Sequence, residues 1–186
     1  MGDAMHMTAS DRFEAFVRRY QDMVFATAVR LLGNPADAED VAQGVFLKAF
    51  QHSATVVDSN RAAGWLKTAT RHACLNHLSR YRARWRFFSE ISGADAEGAP
   101  ADFEATLVSD VSPAAQFERA DQQERLERAL LRLPDHQRVP LVLYHLEDLS
   151  YQDIAGALDI SLGKVKTDIH RGREALRKLL SNDAPG

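Results

Sequence analysis

Apolar side chains return at three- and four-residue steps along most of this chain, the spacing that puts them on one side of a helix. Phe13, Phe16, Val17, Tyr20, Val24, Ala28 and Leu31 mark a first stripe. Gly33 suits its end, because glycine takes the left-handed backbone of a helix stop at no steric cost. Asn34-Pro35 reads as a cap followed by proline at the first helical position. Asp37, Glu39 and Asp40 then place negative charge at the positive end of the helix dipole. Ala38, Val41, Ala42, Val45, Phe46 and Ala49 form the second stripe. Residues 51–60 show no period and are expected to be a loop. A third helix is predicted from about Arg61 to Arg84, with Trp65, Leu66, Ala69, Ala73 and Leu78 on its apolar side.

The period lapses from Ser89 to Ala115, where Gly93, Gly98, Pro100 and Pro113 lie among Ala, Ser and Asp. That stretch reads as a linker. From Phe117 the stripe resumes with Ala120, Leu126, Ala129, Leu130 and Leu133, and Pro134 stops it. A helix is predicted over roughly residues 136–146. Ser150-Tyr151-Gln152-Asp153 is a capping box: the serine oxygen can take the amide at Asp153, and the aspartate can reach back. The helix it opens carries Ile154, Ala155 and Leu158. Asp159-Ile160-Ser161 is a short turn, with Ser161 as the next cap, and Val165, Ile169, Leu176 and Leu179 face inward on the last helix. No strand pattern and no repeat is visible. The fold class expected is all-α, with two small helical domains at 10–88 and 117–181 joined by a flexible acidic linker at 89–116.

Charge changes this picture. The net value of −3 over 186 residues argues against nucleic acid, but the distribution reverses that. Arg61 to Ser89 holds seven Lys or Arg and no acid; Glu90 to Glu124 holds nine acids and one Arg; Ser161 to Leu180 holds six basic residues and two acids. Such blocks speak of partners more than of fold. The linker acids Asp95, Glu97, Asp102, Glu104 and Asp110 leave two readings open, a charged thread that shields the basic faces or a solubilising spacer. The single cysteine, Cys74, excludes an intramolecular disulfide and fits a reducing cytoplasm. There is no apolar run of about 20 residues to span a bilayer, and no signal-peptide pattern.

A capped helix, a tight turn and a basic helix make a helix-turn-helix. Ala155 is small where the two helices cross. With Val165 and Ile169 behind, the residues expected to face DNA are Leu162, Gly163, Lys164, Lys166, Thr167, Asp168, His170 and Arg171, with Arg173 on phosphates. Lys and Arg there meet phosphates or guanine edges. The plainer reading is a helical hairpin with a solvated basic face; the capping box and turn favour DNA. No enzyme chemistry converges: His72, Cys74 and His77 point to different sides of one helix and cannot close on a metal or pair as nucleophile and base. No cofactor, metal or small-molecule substrate is expected.

Taken together, the motifs resemble the extracytoplasmic-function sigma factors of the sigma-70 family. The resemblance lies in Leu31 to Phe46, in Trp65-Leu66 through Arg71, and in the basic run Arg80 to Arg86. It continues in Leu133-Pro134 with Gln137-Arg138, in Leu149 to Ala155, and in Ser161-Leu162-Gly163, Val165-Lys166, His170-Arg171, Arg173, Ala175 and Leu176. Gly44, Lys164 and Asp168 depart from the usual pattern, the last two on the recognition helix.

The resemblance implies a cytoplasmic transcription initiation factor with core RNA polymerase and promoter DNA as partners, and it suggests an anti-sigma factor. Asp37, Glu39, Asp40 and Gln43 would dock on polymerase. Asn60, Arg61, Arg71, Arg80, Tyr81, Arg82 and Arg84 would hold the melted minus-ten element, since single strands are held by basic grooves and flat side chains. The last helix would read the minus-thirty-five duplex. The rival is a conventional helix-turn-helix regulator that binds duplex DNA without joining polymerase, which leaves the first domain unexplained.

Overall fold

The computed structural model describes residues 8–79 and 113–182, with side chains from residue 121 onward in the second stretch. The chain divides into two compact units, residues 1–82 and 83–186. All regular structure among the described residues is helical.

The first unit is built on α1 (Ala9–Leu32), α2 (Pro35–Gln51), α3 (Ser53–Val56) and α4 (Ala62–Ser79). Thr8 and Asp11 cap α1 reciprocally, the Asp11 amide donating to Thr8 Oγ1 at 3.1 Å and the Thr8 amide to Asp11 Oδ2 at 2.9 Å. Gly33 ends α1 at φ 70°, and its N–H donates to the Val29 carbonyl. The Asn34 side chain then accepts from the Ala36 amide at 3.0 Å and starts α2. Those two caps reverse the chain so that α1 packs on α2, and α4 closes on both. The seam holds Val24, Ala28 and Leu31 of α1, Ala38, Val45 and Ala49 of α2, and Leu66 and Cys74 of α4, all buried. Thr70 joins them because its hydroxyl donates to the Leu66 carbonyl at 2.7 Å, which satisfies it without water.

The loop expected over residues 51–60 is partly helix. Helix α2 runs through Gln51, and α3 follows at once with Val56 buried. Thr55 Oγ1 and the Val56 amide both donate to the His52 carbonyl, so a single turn closes on local bonds. One turn is too short to display a period. The helix expected over 61–84 is α4 as far as Ser79; its remainder, with Trp85, Phe87 and Phe88, lies outside the described residues.

The second unit comprises α5 (Pro113–Leu131), α6 (Asp135–His145), α7 (Tyr151–Leu158) and α8 (Leu162–Asn182). Helix α5 begins at Pro113, four residues ahead of Phe117, because proline fits the first helical position where no N–H is needed. Helix α8 packs on α5, α6 and α7. Leu133, Val139, Val142, Leu143, Ile154, Leu158, Val165 and Ile169 form the core. A buried cation braces the α5–α6 corner: Arg138, 2% exposed, donates to the Leu133 carbonyl at 3.0 Å and to Asp135 Oδ1 at 2.6 Å. Gly172 lets α8 approach α6 closely, since a Cβ there would sit 3.2 Å from the Gln137 carbonyl oxygen.

Candidate nucleic-acid interface and polymerase-binding face

The helix-turn-helix is α7, a turn and α8. Ser150 caps α7, accepting from the Asp153 amide at 3.1 Å and donating its hydroxyl to Asp153 Oδ2 at 2.6 Å. Asp159 ends α7 in the left-handed conformation at φ 55°, and the Ile160 amide donates back to the Ala155 carbonyl at 3.1 Å. Ser161 then takes the Lys164 amide at 3.2 Å, so only three residues separate α7 from α8.

On α8, Leu162, Gly163, Lys166 and His170 are exposed, and Lys164, Thr167 and Arg171 are half-buried. Thr167 donates its hydroxyl to the Gly163 carbonyl at 3.0 Å, which leaves its oxygen to accept. Leu162, Gly163, Lys166 and His170 thus lie on the open side of the helix with Thr167 and Arg171 at its edge, whereas Lys164 is turned toward Asp168.

Asp168 does not join them. It is 1% exposed and faces inward with Val165, Ile169 and Gly172. The expectation that it meets DNA is corrected by helical phase: residue 168 lies three beyond 165 and four short of 172, on the buried stripe. Lys164 Nζ donates to Asp168 Oδ1 at 2.6 Å. Burial pushes the Asp168 carboxyl above the usual range, and the Lys164 ammonium opposes that shift.

Arg173 is turned onto α6. Its Nε donates to His145 Nε2 at 3.1 Å, and its guanidinium lies 5.5 Å over the Tyr144 ring, which packs against Tyr151 at 4.7 Å. His145 is thereby fixed as the tautomer with a bare Nε2. Burial, and then the charge of Arg173, hold its pKa below the ordinary value.

In the first unit Glu39, Asp40 and Gln43 are exposed along α2. Asp37 separates from them: it lies half-buried with Oδ2 3.6 Å from His77 Nε2 on α4. Beside Glu39 and Gln43 runs an open apolar groove between α1 and α2, lined by Phe13, Val17, Phe25, Phe46, Leu47 and Phe50. Leu47 is 64% exposed and Phe50 57%. Sequence reasoning missed both, because it followed only the buried stripe; large apolar residues off that stripe were the available signal.

Of the residues assigned to the melted strand, Asn60 and Arg61 are exposed just before α4, and Arg71 is half-buried on α4 itself. Arg80, Tyr81, Arg82 and Arg84 lie outside the described residues. Cys74 is fully buried while His72 is exposed, so those two do not meet on one surface. The described residues contain no group of His, Cys, Asp or Glu side chains arranged to hold a metal ion, and no helix long and apolar enough to cross a membrane.

Two helical units, the second a helix-turn-helix with a basic outer face, define a DNA-binding factor. The family model for sigma-70 region 2 matches residues 16–85, and that for sigma-70 region 4 matches residues 123–176. The chain is 30% identical to the ECF RNA polymerase sigma factor SigW of Bacillus subtilis, over 91% of this chain and 89% of that one. It is 33% identical to the ECF sigma factor SigE of Mycolicibacterium smegmatis, over 93% of this chain and 63% of that one. Among solved structures, the sigma factor RpoE in complex with the anti-sigma factor NepR from Bartonella quintana aligns at a TM-score of 0.46 and 24% identity, over 92% of this chain and 98% of that one. The chain belongs to the ECF sigma factors of the sigma-70 family.

Proposed function

We propose that this sigma factor divides promoter-specific initiation between its units, with α1–α2 docking core RNA polymerase and α8 reading the minus-thirty-five duplex. The observation that carries the reading is the pairing of an open apolar groove, edged by Glu39 and Gln43, with a capped helix-turn-helix whose outer face holds Lys166, His170 and Arg171. An apolar groove with a polar edge suits a protein partner. Exposed cations at the start of a helix projecting from a capped turn suit the major groove.

Glu39, Asp40 and Gln43 supply the polar part of the polymerase face, and Leu47 and Phe50 its apolar part. Asn60, Arg61 and Arg71 are assigned to the melted minus-ten strand, together with Arg80, Tyr81, Arg82 and Arg84. A conventional regulator would have no use for the α1–α2 groove. An anti-sigma partner, expected from the family, would act by covering the polymerase face.

The test is reconstitution. The full chain is mixed with core polymerase and a pool of promoter fragments, and run-off transcription is measured. Transcription from a subset of fragments that depends on the added chain supports the reading. Duplex binding by the chain alone, with neither polymerase association nor transcription, overturns it.

A further inference from the structure

Lys164 and Asp168 stand one turn apart on α8, and they meet on its inner side. The lysine Nζ donates to Asp168 Oδ1 at 2.6 Å; the side chains are 21% and 1% exposed. Asp168 shares the buried stripe of α8 with Val165, Ile169 and Gly172. The charged and titratable groups that act on it are Lys164 and Arg171 on its own helix and His136 on α6.

Lys164 therefore has two competing partners, Asp168 on the inside and a DNA phosphate on the outside. If it swings out, a carboxylate is left in the interior without its ammonium. Stripping a buried charge of its partner costs several times what an ion pair at a wet surface returns. On that balance the pair is expected to hold when DNA arrives.

We propose that Asp168 is a specificity-determining positioning residue, which holds the Lys164 ammonium off the phosphate backbone. The cations left to meet DNA in the first turns of α8 are then Lys166 and Arg171. Sequence-independent attraction is reduced by one charge, so a larger share of duplex affinity rests on side chains that face bases. The proposal rests on the reading of α8 as a duplex-binding helix.

The test measures binding of the full chain to a 30-base-pair duplex of random sequence across a salt series. Each phosphate contact contributes about 0.9 to the slope of log K against log salt. Lys166→Ala is the control for the underlying reading and should flatten the slope by about that amount. Lys164→Met should leave the slope unchanged. Asp168→Asn should free the lysine, steepen the slope by about one unit, and tighten binding several-fold at low salt. The double variant should return to the wild-type slope. In selection from a randomised duplex pool, Asp168→Asn should enrich a less sharply defined sequence.

A flatter slope with Lys164→Met shows that this lysine already touches phosphate and overturns the proposal. So does an unchanged slope with Asp168→Asn in a protein that melts as the wild type does. Should Asp168→Asn fail to fold, Lys164→Met decides alone by the same criterion. If Lys166→Ala also has no effect, the duplex-binding role of α8 itself has failed, a result distinct from failure at Asp168 alone.

Discussion

The two units treat polarity in opposite ways. The first leaves large apolar side chains in solvent, Leu47 at 64% and Phe50 at 57% exposure. The second takes charge inside, Arg138 at 2% and Asp168 at 1%. A contiguous patch of exposed apolar side chains marks a surface suited to a partner. Buried charge has no use for a partner and holds only if its own neighbours satisfy it. The first unit thus offers an apolar patch suited to a protein partner, whereas the second holds its buried charges with its own neighbours. A protein interface gains from area, but a reading helix gains from a set orientation.

The contrast breaks most visibly at Arg138. Arg138→Ala should destabilise the second unit by about 2–4 kcal/mol, since the buried Leu133 carbonyl loses its donor and the α5–α6 corner loses its brace. Thermal melting of the full chain should show the second unit unfolding early and the first unchanged. On the other side of the comparison, Leu47→Ala combined with Phe50→Ala should leave melting within about 0.5 kcal/mol of wild type. Affinity for core polymerase should fall by about 2 kcal/mol, roughly thirtyfold, as apolar contact area is lost. Melting that falls while affinity holds would mean that these side chains serve the fold instead.

A smaller effect separates the α2 acids. Glu39→Lys with Asp40→Lys should weaken polymerase binding by about 1 kcal/mol, more at low salt, because both are exposed and screened. Asp37→Asn should leave that affinity alone and act on the first unit's stability, because Asp37 is turned toward His77. Competition binding against labelled wild type distinguishes the two.

The smallest effect is one of pH. The native His145 pKa lies below its ordinary 6.5 through burial and then Arg173. The unfolded chain therefore binds more protons than the native one as pH falls through 6.5. The stabilisation is complete above 6.5 and is lost on acidification toward the native pKa. His136 shifts in the same direction, chiefly through burial. The second unit should melt at lower temperature at pH 5.5 than at pH 7.5, and His145→Gln, which keeps an acceptor for Arg173, should shrink that difference.

Much of this was legible in the sequence where the signal is local. Gly33, Asn34, Ser150 and Ser161 announce helix ends by chemistry confined to three or four residues, and each caps where expected. The apolar stripes placed Val24, Leu31, Val45, Leu66, Ile154 and Val165 inside. Legibility failed where a side chain's type and its position disagreed. Asp168 occupies an inward position, but its charge suggested the outside. Leu47 and Phe50 are apolar at outward positions. Arg138 is buried by what α5 and α6 do together, which no local pattern states. Helix α3 is a single turn, below the length at which a period exists.

The turn at Asp159-Ile160-Ser161 has a consequence for how such a factor diverges. Each residue of a helix advances the bearing of its side chain by about 100°. The three residues between α7 and α8 therefore act as an index, setting which residues of α8 look outward. Deleting one while the packing of the helices is kept would re-aim the whole outer face and carry side chains such as Lys166 toward the core. On the proposed reading of α8, substitution at Leu162, Lys166 or His170 would change what is read and leave the indexing intact. New promoter preferences would then be reachable by single exchanges on that face, whereas a change in the length of the turn would disturb all of it at once.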